Sequence, residues 1–473
     1  MLKRVSALLL CLALVVSAAC TYRRSEPRRN DTLPDIPRET RQPERDETPS
    51  PKTEDNLAKS DEDAVEENIN GLDLEDDLEI TDEAESRSAT QSKVGLTQNE
   101  MLRVGQQMST ATNVSVLQNY KTTVPPEITL NLKYDQYAIT YDYFLITAEN
   151  QVDIHESPQS GSTVVCHGVN AEKLALHQKV TGEAIGDSNI WYKVSCKDNG
   201  TAKTGYIHSS NGIPRSFNFD KMLQSVRELE QQVKSGKLNF ISNYKNVNGA
   251  PPKKGDSATD EYGTRVYQSA PGYAEPDTNS DFRYIPDGIL LRILDETGDF
   301  YRVNVLTYDG EYYVPKKYIE PDNALSQLSQ AIVVDRAQQN QAAFEIGQDG
   351  SITMVSYTFS TTGLQGETSF ATPLGYYKSI EKKDKFEYLK DGSDEIAGYA
   401  PFAVRFCGGA YIHGVPVAYK EENGEKVDPG HIEYLQTIGT FPRSHMCVRN
   451  YTSHAKFLHG WVDPAICAII VIE

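Results

Sequence analysis

Basic residues are scarce in this chain: 47 Lys and Arg stand against 67 Asp and Glu, a net charge of −20. That excludes a nucleic-acid binder that works by neutralising phosphates, which needs a basic face. Apolar residues are also in short supply, at 38% of the 473 positions. The length alone suggests about three domains, yet at this composition not all of the chain folds. Beyond the first twenty residues no apolar run approaches the ~20 needed to cross a bilayer as a helix. The paired spacings of common zinc sites, Cys-x-x-Cys or His-Glu-x-x-His, are missing, which weighs against a zinc enzyme built on His413, His445, Cys447 and His454. No metal or other cofactor is expected.

The acid that is present is unevenly placed. Between Thr53 and Ser86 there are 15 Asp or Glu against Lys59 alone, so this stretch carries −14 of the −20. Charge therefore describes a linker and says little about the partner. At the start, Lys3 and Arg4 precede an apolar run from Val5 to Val16, and Ser17, Ala18 and Ala19 lead to Cys20. This is a secretion signal over 1–19. Small residues directly before a Cys resemble the bacterial lipobox, which implies lipidation at Cys20 and attachment to a membrane surface. Thr21 is not the Asp that favours inner-membrane retention, so the expected location is the outer membrane, facing the periplasm. Residues 20–133 read as a disordered acidic tether, because their composition cannot offset the entropy of ordering. The tether gives a folded body reach toward a polymer lying off the membrane.

From Tyr141 the texture becomes short alternating runs between turns. Tyr143–Ile146, Val152–His155, Lys173–Leu176, Ile190–Val194 and Gly205–His208 read as strands. Trp191-Tyr192-Lys193-Val194, a turn, and then Gly205-Tyr206-Ile207 resemble the bacterial SH3 module, placed at 134–215. Cys166 and Cys196 fall inside it, and export favours a bridge between them. A helical linker occupies 216–250, with Phe219, Met222, Leu223, Val226, Leu229 and Val233 at helical spacing from Phe217 to Gly236. A second SH3-like module, at 251–322, takes strands from Ile289–Ile293, Phe300–Val305 and Glu311–Val314. A short helical link near Asn323 to Gln330 then leads into a third, β-rich domain at 323–473.

Five of the nine His lie in the last 61 positions of that domain. Cysteine arithmetic points there as well. Once Cys11 leaves with the signal, Cys20 is lipidated and Cys166 pairs with Cys196, three thiols remain. Cys407 and Cys467 sit in apolar strand contexts that suit buried thiols or a second bridge. Cys447 lies in a polar stretch just before an amphipathic helix from about Ser453 to Val462, a strand-to-helix turn where a thiol finds backbone N–H groups nearby. A thiol nucleophile needs a base or a cationic neighbour, and His413 and His445 are the candidates.

Ile412-His413-Gly414 and Ser444-His445-Met446-Cys447-Val448-Arg449, with Thr372-Pro373-Leu374-Gly375 upstream, resemble the catalytic domain of the YkuD-type L,D-transpeptidases. The resemblance covers roughly 331–473. It implies a mainly β chain ending in a β-sandwich with a short helix. It also implies a cysteine acyltransferase acting on peptidoglycan stem peptides, in which Cys447 is the nucleophile and His413 moves the proton, oriented by the carbonyl of Gly414. Ser444, His445 and Met446 would form the oxyanion surroundings and Arg449 would meet a substrate carboxylate.

Two departures stand out. Met446 occupies a position where the family has Gly, and thirty residues separate His413 from Ser444, about twice the commoner spacing. The inserted stretch, Val415 to Pro442, reads as a lid or substrate-binding loop. Water as acceptor would make the same site an L,D-carboxypeptidase. Two other readings stay open: a non-catalytic, lipid-anchored wall-binding protein, and a papain-like endopeptidase, for which only His454 and His459 follow the Cys.

Overall fold

The computed structural model describes residues 114–473, apart from 138, 199–200, 367–368, 390–394 and 423. The expected signal at 1–19, Cys20 and the acidic stretch as far as residue 113 lie outside the described residues. The described chain is mainly β, with two α-helices. No helix among the described residues is long and apolar enough to cross a membrane.

The C-terminal part is a sandwich of two sheets. The first runs in the order Gly375–Lys378, Cys467–Ile472, Gln330–Asp335, Asn340–Ile346, Ile352–Phe359, Ile128–Leu130. The second runs Glu381–Leu389, Ile396–Cys407, Ala410–His413, Val448–Arg449. Pleating explains why the central strands of the first sheet are apolar without alternation: both of its faces are covered. Ile332, Val334, Ile469 and Val471 pack toward Val404, Phe406, Ile412 and Val448 of the second sheet. Ala331, Val333, Ala468 and Ile470 point the other way, into a core shared with the helix Phe219–Lys234.

That helix buries Phe219, Met222, Val226, Leu229 and Val233, the spacing of one face. Each fully buried side chain of this size contributes about 1.5–3 kcal/mol. Its end is set by Gly236, whose φ of +148° lies outside the helical region. The expected linker at 216–250 is shorter than anticipated. Asn239–Phe240 already pairs with Leu290–Leu291 in the second module, and Ile241 bridges Ile319. The expected helical link at Asn323–Gln330 is extended instead, held by the Leu238–Leu325 bridge, because Leu325 and Leu328 are drawn into the core.

The first module forms a sheet ordered Val164–Gly168, Val152–His155, Thr201–His208, Ser188–Asp198, Lys173–Ile185, Asp142–Ile146, Gly212–Ser216. Cys166 and Cys196 are joined in it as a disulfide. The second module forms a six-stranded sheet. Its strands Ser269–Tyr273 and Phe282–Pro286 carry Pro and Gly and give little strand signal in the sequence.

The tether boundary at 133 also needs correction. Ile128–Leu130 adds in parallel to Ile352–Met354, and Val116–Asn119 runs antiparallel to Gln178–Val180. A strand laid on an open edge takes its hydrogen bonds from the neighbouring backbone, so it needs little apolar pattern of its own.

Candidate active site

Ala410–His413 and Val448–Arg449 are parallel neighbours, with Ile412 opposite Val448 and His413 opposite Arg449. Ile412 and Val448 point into the sandwich core, so the alternating residues His413, Cys447 and Arg449 share the opposite face. The second sheet thereby carries the imidazole at the end of one strand and the thiol just before its neighbour. Cys447 itself lies in the loop before the short strand Val448–Arg449 and not at the anticipated junction with the helix, which spans Thr452–Trp461.

His413 is buried, and its Nδ1 meets the Gly414 carbonyl oxygen at 2.6 Å. A carbonyl only accepts, so Nδ1 carries the proton and Nε2 presents its lone pair. Burial pulls the imidazole down to about 4, and the charge on Arg449 adds to that, so the ring is neutral at physiological pH. The strand pairing continues past it, with Asn450 N donating to His413 O at 2.9 Å. A side chain at 414 would crowd Thr452 Oγ1 at 2.8 Å, which gives glycine a packing reason at this position.

The Cys447 thiol is half-buried and its Sγ lies 3.6 Å from the Gly409 carbonyl oxygen. Burial pushes it up to about 11, against the opposing effects of a Tyr411 backbone hydrogen bond and the Arg449 charge. The resting pair is therefore neutral thiol and neutral imidazole. Cys407 and Cys467 are free, fully buried and pushed far up by burial, which leaves them inert.

The turn that carries Cys447 is clamped from several sides. Ser444 Oγ donates to Cys447 O at 2.6 Å, Thr372 Oγ1 donates to Met446 O at 2.9 Å, and Gly363 N donates to Thr372 Oγ1 at 2.8 Å. Leu364 N and Phe370 N each donate at 2.8 Å, to Ser444 O and His445 O. Met446 is absent from the residues with positive φ, so the turn makes no demand for glycine there. Its side chain is buried in the sandwich core.

Cys447, Met446 and His445 line a cavity of about 370 Å³. Its other walls come from Lys383 and from Lys385 to Leu389 on the edge strand of the second sheet, and from Tyr244, Arg265 and Gln268 in or beside the second module. These residues are far from Cys447 in sequence and form no motif with it, so no local signal marks them. Arg449 is buried and is not among the residues that line the cavity, at odds with the expected contact with a substrate carboxylate.

The insertion Val415 to Pro442 does not line the cavity either. Ile432, Tyr434, Leu435 and Ile438 are buried in the core shared with the helix Phe219–Lys234. The carbonyls of Gln436 and Gly439 accept from Lys173 Nζ and Arg215 Nη1 of the first module, both at 3.1 Å. The expected lid is thus a packed brace between modules. His454 contacts Ser356 Oγ through Nε2 at 3.1 Å, and burial pulls it down to about 3. His459 is paired at 3.6 Å with Asp384.

The fold and the cavity define a β-sandwich domain with a neutral imidazole on one strand and a half-buried thiol just before the next. Residues 329–471 match the family model of YkuD, the L,D-transpeptidase catalytic domain. No curated protein matches the chain by sequence. Among solved structures, an L,D-transpeptidase from Mycobacterium smegmatis is 16% identical over 39% of this chain and 82% of its own, with a TM-score of 0.24. L,D-transpeptidase 3 from Mycobacterium tuberculosis is 16% identical over 39% and 77%, with a TM-score of 0.23. A fused Zn-dependent amidase/peptidase/peptidoglycan-binding domain-containing protein from Clostridium acetobutylicum is 14% identical over 30% and 52%, with a TM-score of 0.21. This chain thus spans about half the length of that last protein.

Proposed function

We propose that the chain is an exported, lipid-anchored L,D-transpeptidase that works on peptidoglycan stem peptides through a Cys447 thioester. The observation that carries this reading is a half-buried Cys447 that lines a cavity and immediately precedes the strand paired with the one that ends in His413. Cys447 Sγ attacks the amide carbonyl that links the third residue of the stem to its terminal D-Ala, and His413 Nε2 takes the thiol proton. The tetrahedral oxyanion is held by the backbone N–H groups of Met446 and Cys447, with His445 beside them. The proton passes to the departing amine, D-Ala leaves, and a thioester remains. An amine from a second stem then attacks the thioester and regenerates the thiol. Cys20 supplies the lipid anchor, placing the enzyme at the outer membrane facing the periplasm. The two N-terminal β modules are SH3-like.

The test is mass spectrometry of the full chain with disaccharide-tetrapeptide, with and without a carbapenem, beside the Cys447→Ala variant. Release of D-Ala with formation of a dimer, a carbapenem adduct on Cys447, and loss of both in the variant are expected. Release without dimer would indicate the carboxypeptidase. Neither release nor adduct would favour the wall-binding protein, and release that survives Cys447→Ala would exclude the thiol mechanism.

A further inference from the structure

Gln268 belongs to the second module, some 180 residues before Cys447 in the chain, yet the two side chains line one cavity. Gln268 is 3% exposed. Neither Oε1 nor Nε2 of its amide has a hydrogen-bond partner among the described residues. A buried amide left in that state costs about 1–3 kcal/mol. Its backbone is also held in the left-handed region, at φ +63°, which costs a residue with a side chain on the order of 1–3 kcal/mol more. The conformation is imposed from both ends: Gln268 N donates to Asn246 Oδ1 at 3.0 Å, and Gln268 O accepts from Asp287 N at 3.1 Å. Across from the amide stands Gly408, where a β-carbon would lie 2.9 Å from Oε1. Backbone strain and an unsatisfied buried amide coincide in one residue that lines the thiol cavity.

We propose that Gln268 is a substrate-binding residue of the Cys447 site, whose carboxamide pairs with a peptide group of the acyl donor. The inference rests on the reading of Cys447 as the acyl-transfer nucleophile. A carboxamide offers one acceptor and two donors, the complement of a peptide C=O and N–H. The lining residues carry more positive than negative charge, Lys245, Arg265, Lys383 and Lys385 with Glu387, although Asp428 pairs with Lys385 at 2.7 Å from outside the wall. The second module thus contributes to recognition of the donor as well as to the frame around it.

Gln268→Gly is the informative variant, because glycine adopts φ +63° without strain while the carboxamide is lost together with its two methylenes. Calorimetric binding of disaccharide-tetrapeptide is measured on the full chain carrying Cys447→Ala, with Gln268, Gln268→Gly or Gln268→Glu. Expected is a loss of affinity of about tenfold or more for Gln268→Gly. A further loss is expected for Gln268→Glu, which sets a negative charge against the anionic peptide. The melting temperature of the Gly variant should be unchanged or higher, and Cys447, when present, should alkylate at the parental rate. Equal affinity in the Gly variant, or no binding of the peptide by any of the three, would overturn the proposal. D-Ala release by the parent chain is scored separately: binding that depends on Gln268 without release would leave Gln268 its role and remove the transpeptidase reading.

Discussion

Gly363 lies so close to Met446 that a β-carbon on it would stand 2.6 Å from the Met446 Cα and 2.9 Å from its N. The Phe370 carbonyl oxygen is nearer still. All three are backbone atoms, so nothing can swing aside. Gly363→Ala should displace the Ser444–Cys447 turn, and with it the thiol and the N–H groups beside it. A loss of turnover of about a hundredfold is expected from a shift of about 1 Å, with a smaller fall in melting temperature. Turnover and circular-dichroism melting on the same preparation check this, and a variant with parental turnover would show that the contact does not set the thiol.

Met446 is the second case in which packing decides. From the sequence, Met446 reads only as a departure from the family's Gly. In the folded protein its side chain is buried in the sandwich core and its backbone needs no positive φ. Met446→Gly should therefore destabilise by about 2–5 kcal/mol, as truncation of a core methionine does, without a gain in rate. Urea denaturation gives the first quantity and D-Ala release the second.

The second module is pinned to the sandwich by a buried ion pair, Arg405 Nη1 to Asp287 Oδ2 at 2.7 Å. Asp287 also accepts from Asn243 N at 2.7 Å and Gly408 N at 3.0 Å, while Arg405 reaches Glu381 at 2.8 Å. Asp287→Ala strands two N–H groups and leaves Arg405 leaning on the half-exposed Glu381. A loss of about 3–5 kcal/mol is expected in urea denaturation. Because Asp287 N donates to Gln268 O, donor affinity should fall too, while an Asp287→Ala protein with parental stability and affinity would separate the module from the site.

What could be read from residues alone was whatever local periodicity or a short motif encodes. The helix at Phe219–Lys234 follows from one apolar face, and the strands at Val152–His155 and Phe300–Val305 from alternation. The thiol and imidazole stood out because each sits in a short distinctive string. Three things were hidden. The strand Ile128–Leu130 draws its stability from the edge it joins, so its own sequence looks like linker. The stretch Val415–Pro442 looks like a loop by length, and only contacts to Lys173 and Arg215 give it a structural task. The cavity walls at Gln268, Arg265 and Lys383 converge on Cys447 through long-range packing that no spacing in the chain encodes.

The protonation states lead to a pH profile with a definite sign. Cys447 is pushed up to about 11 and His413 down to about 4, so between those values the resting site holds thiol and imidazole, both uncharged. The thiolate fraction then rises tenfold per pH unit from 7 toward 10. Alkylation of Cys447 by iodoacetamide should climb with a log slope near 1 over that range, and a plateau already reached near pH 7 would mean a thiolate–imidazolium pair instead. Stability should move in the acid range. His413, His454 and His177 are held neutral by burial, with folded values of about 4, 3 and 4 against an ordinary 6.5. Their contribution is fully present above pH 6.5 and lost as pH falls toward 4, because the unfolded chain binds the protons first. Each costs up to about 1.4 kcal/mol per pH unit across that window. His454→Gln should flatten the acid limb of urea-denaturation stability while leaving the alkylation profile of Cys447 unchanged, and an unaltered acid limb would show that His454 does not titrate there.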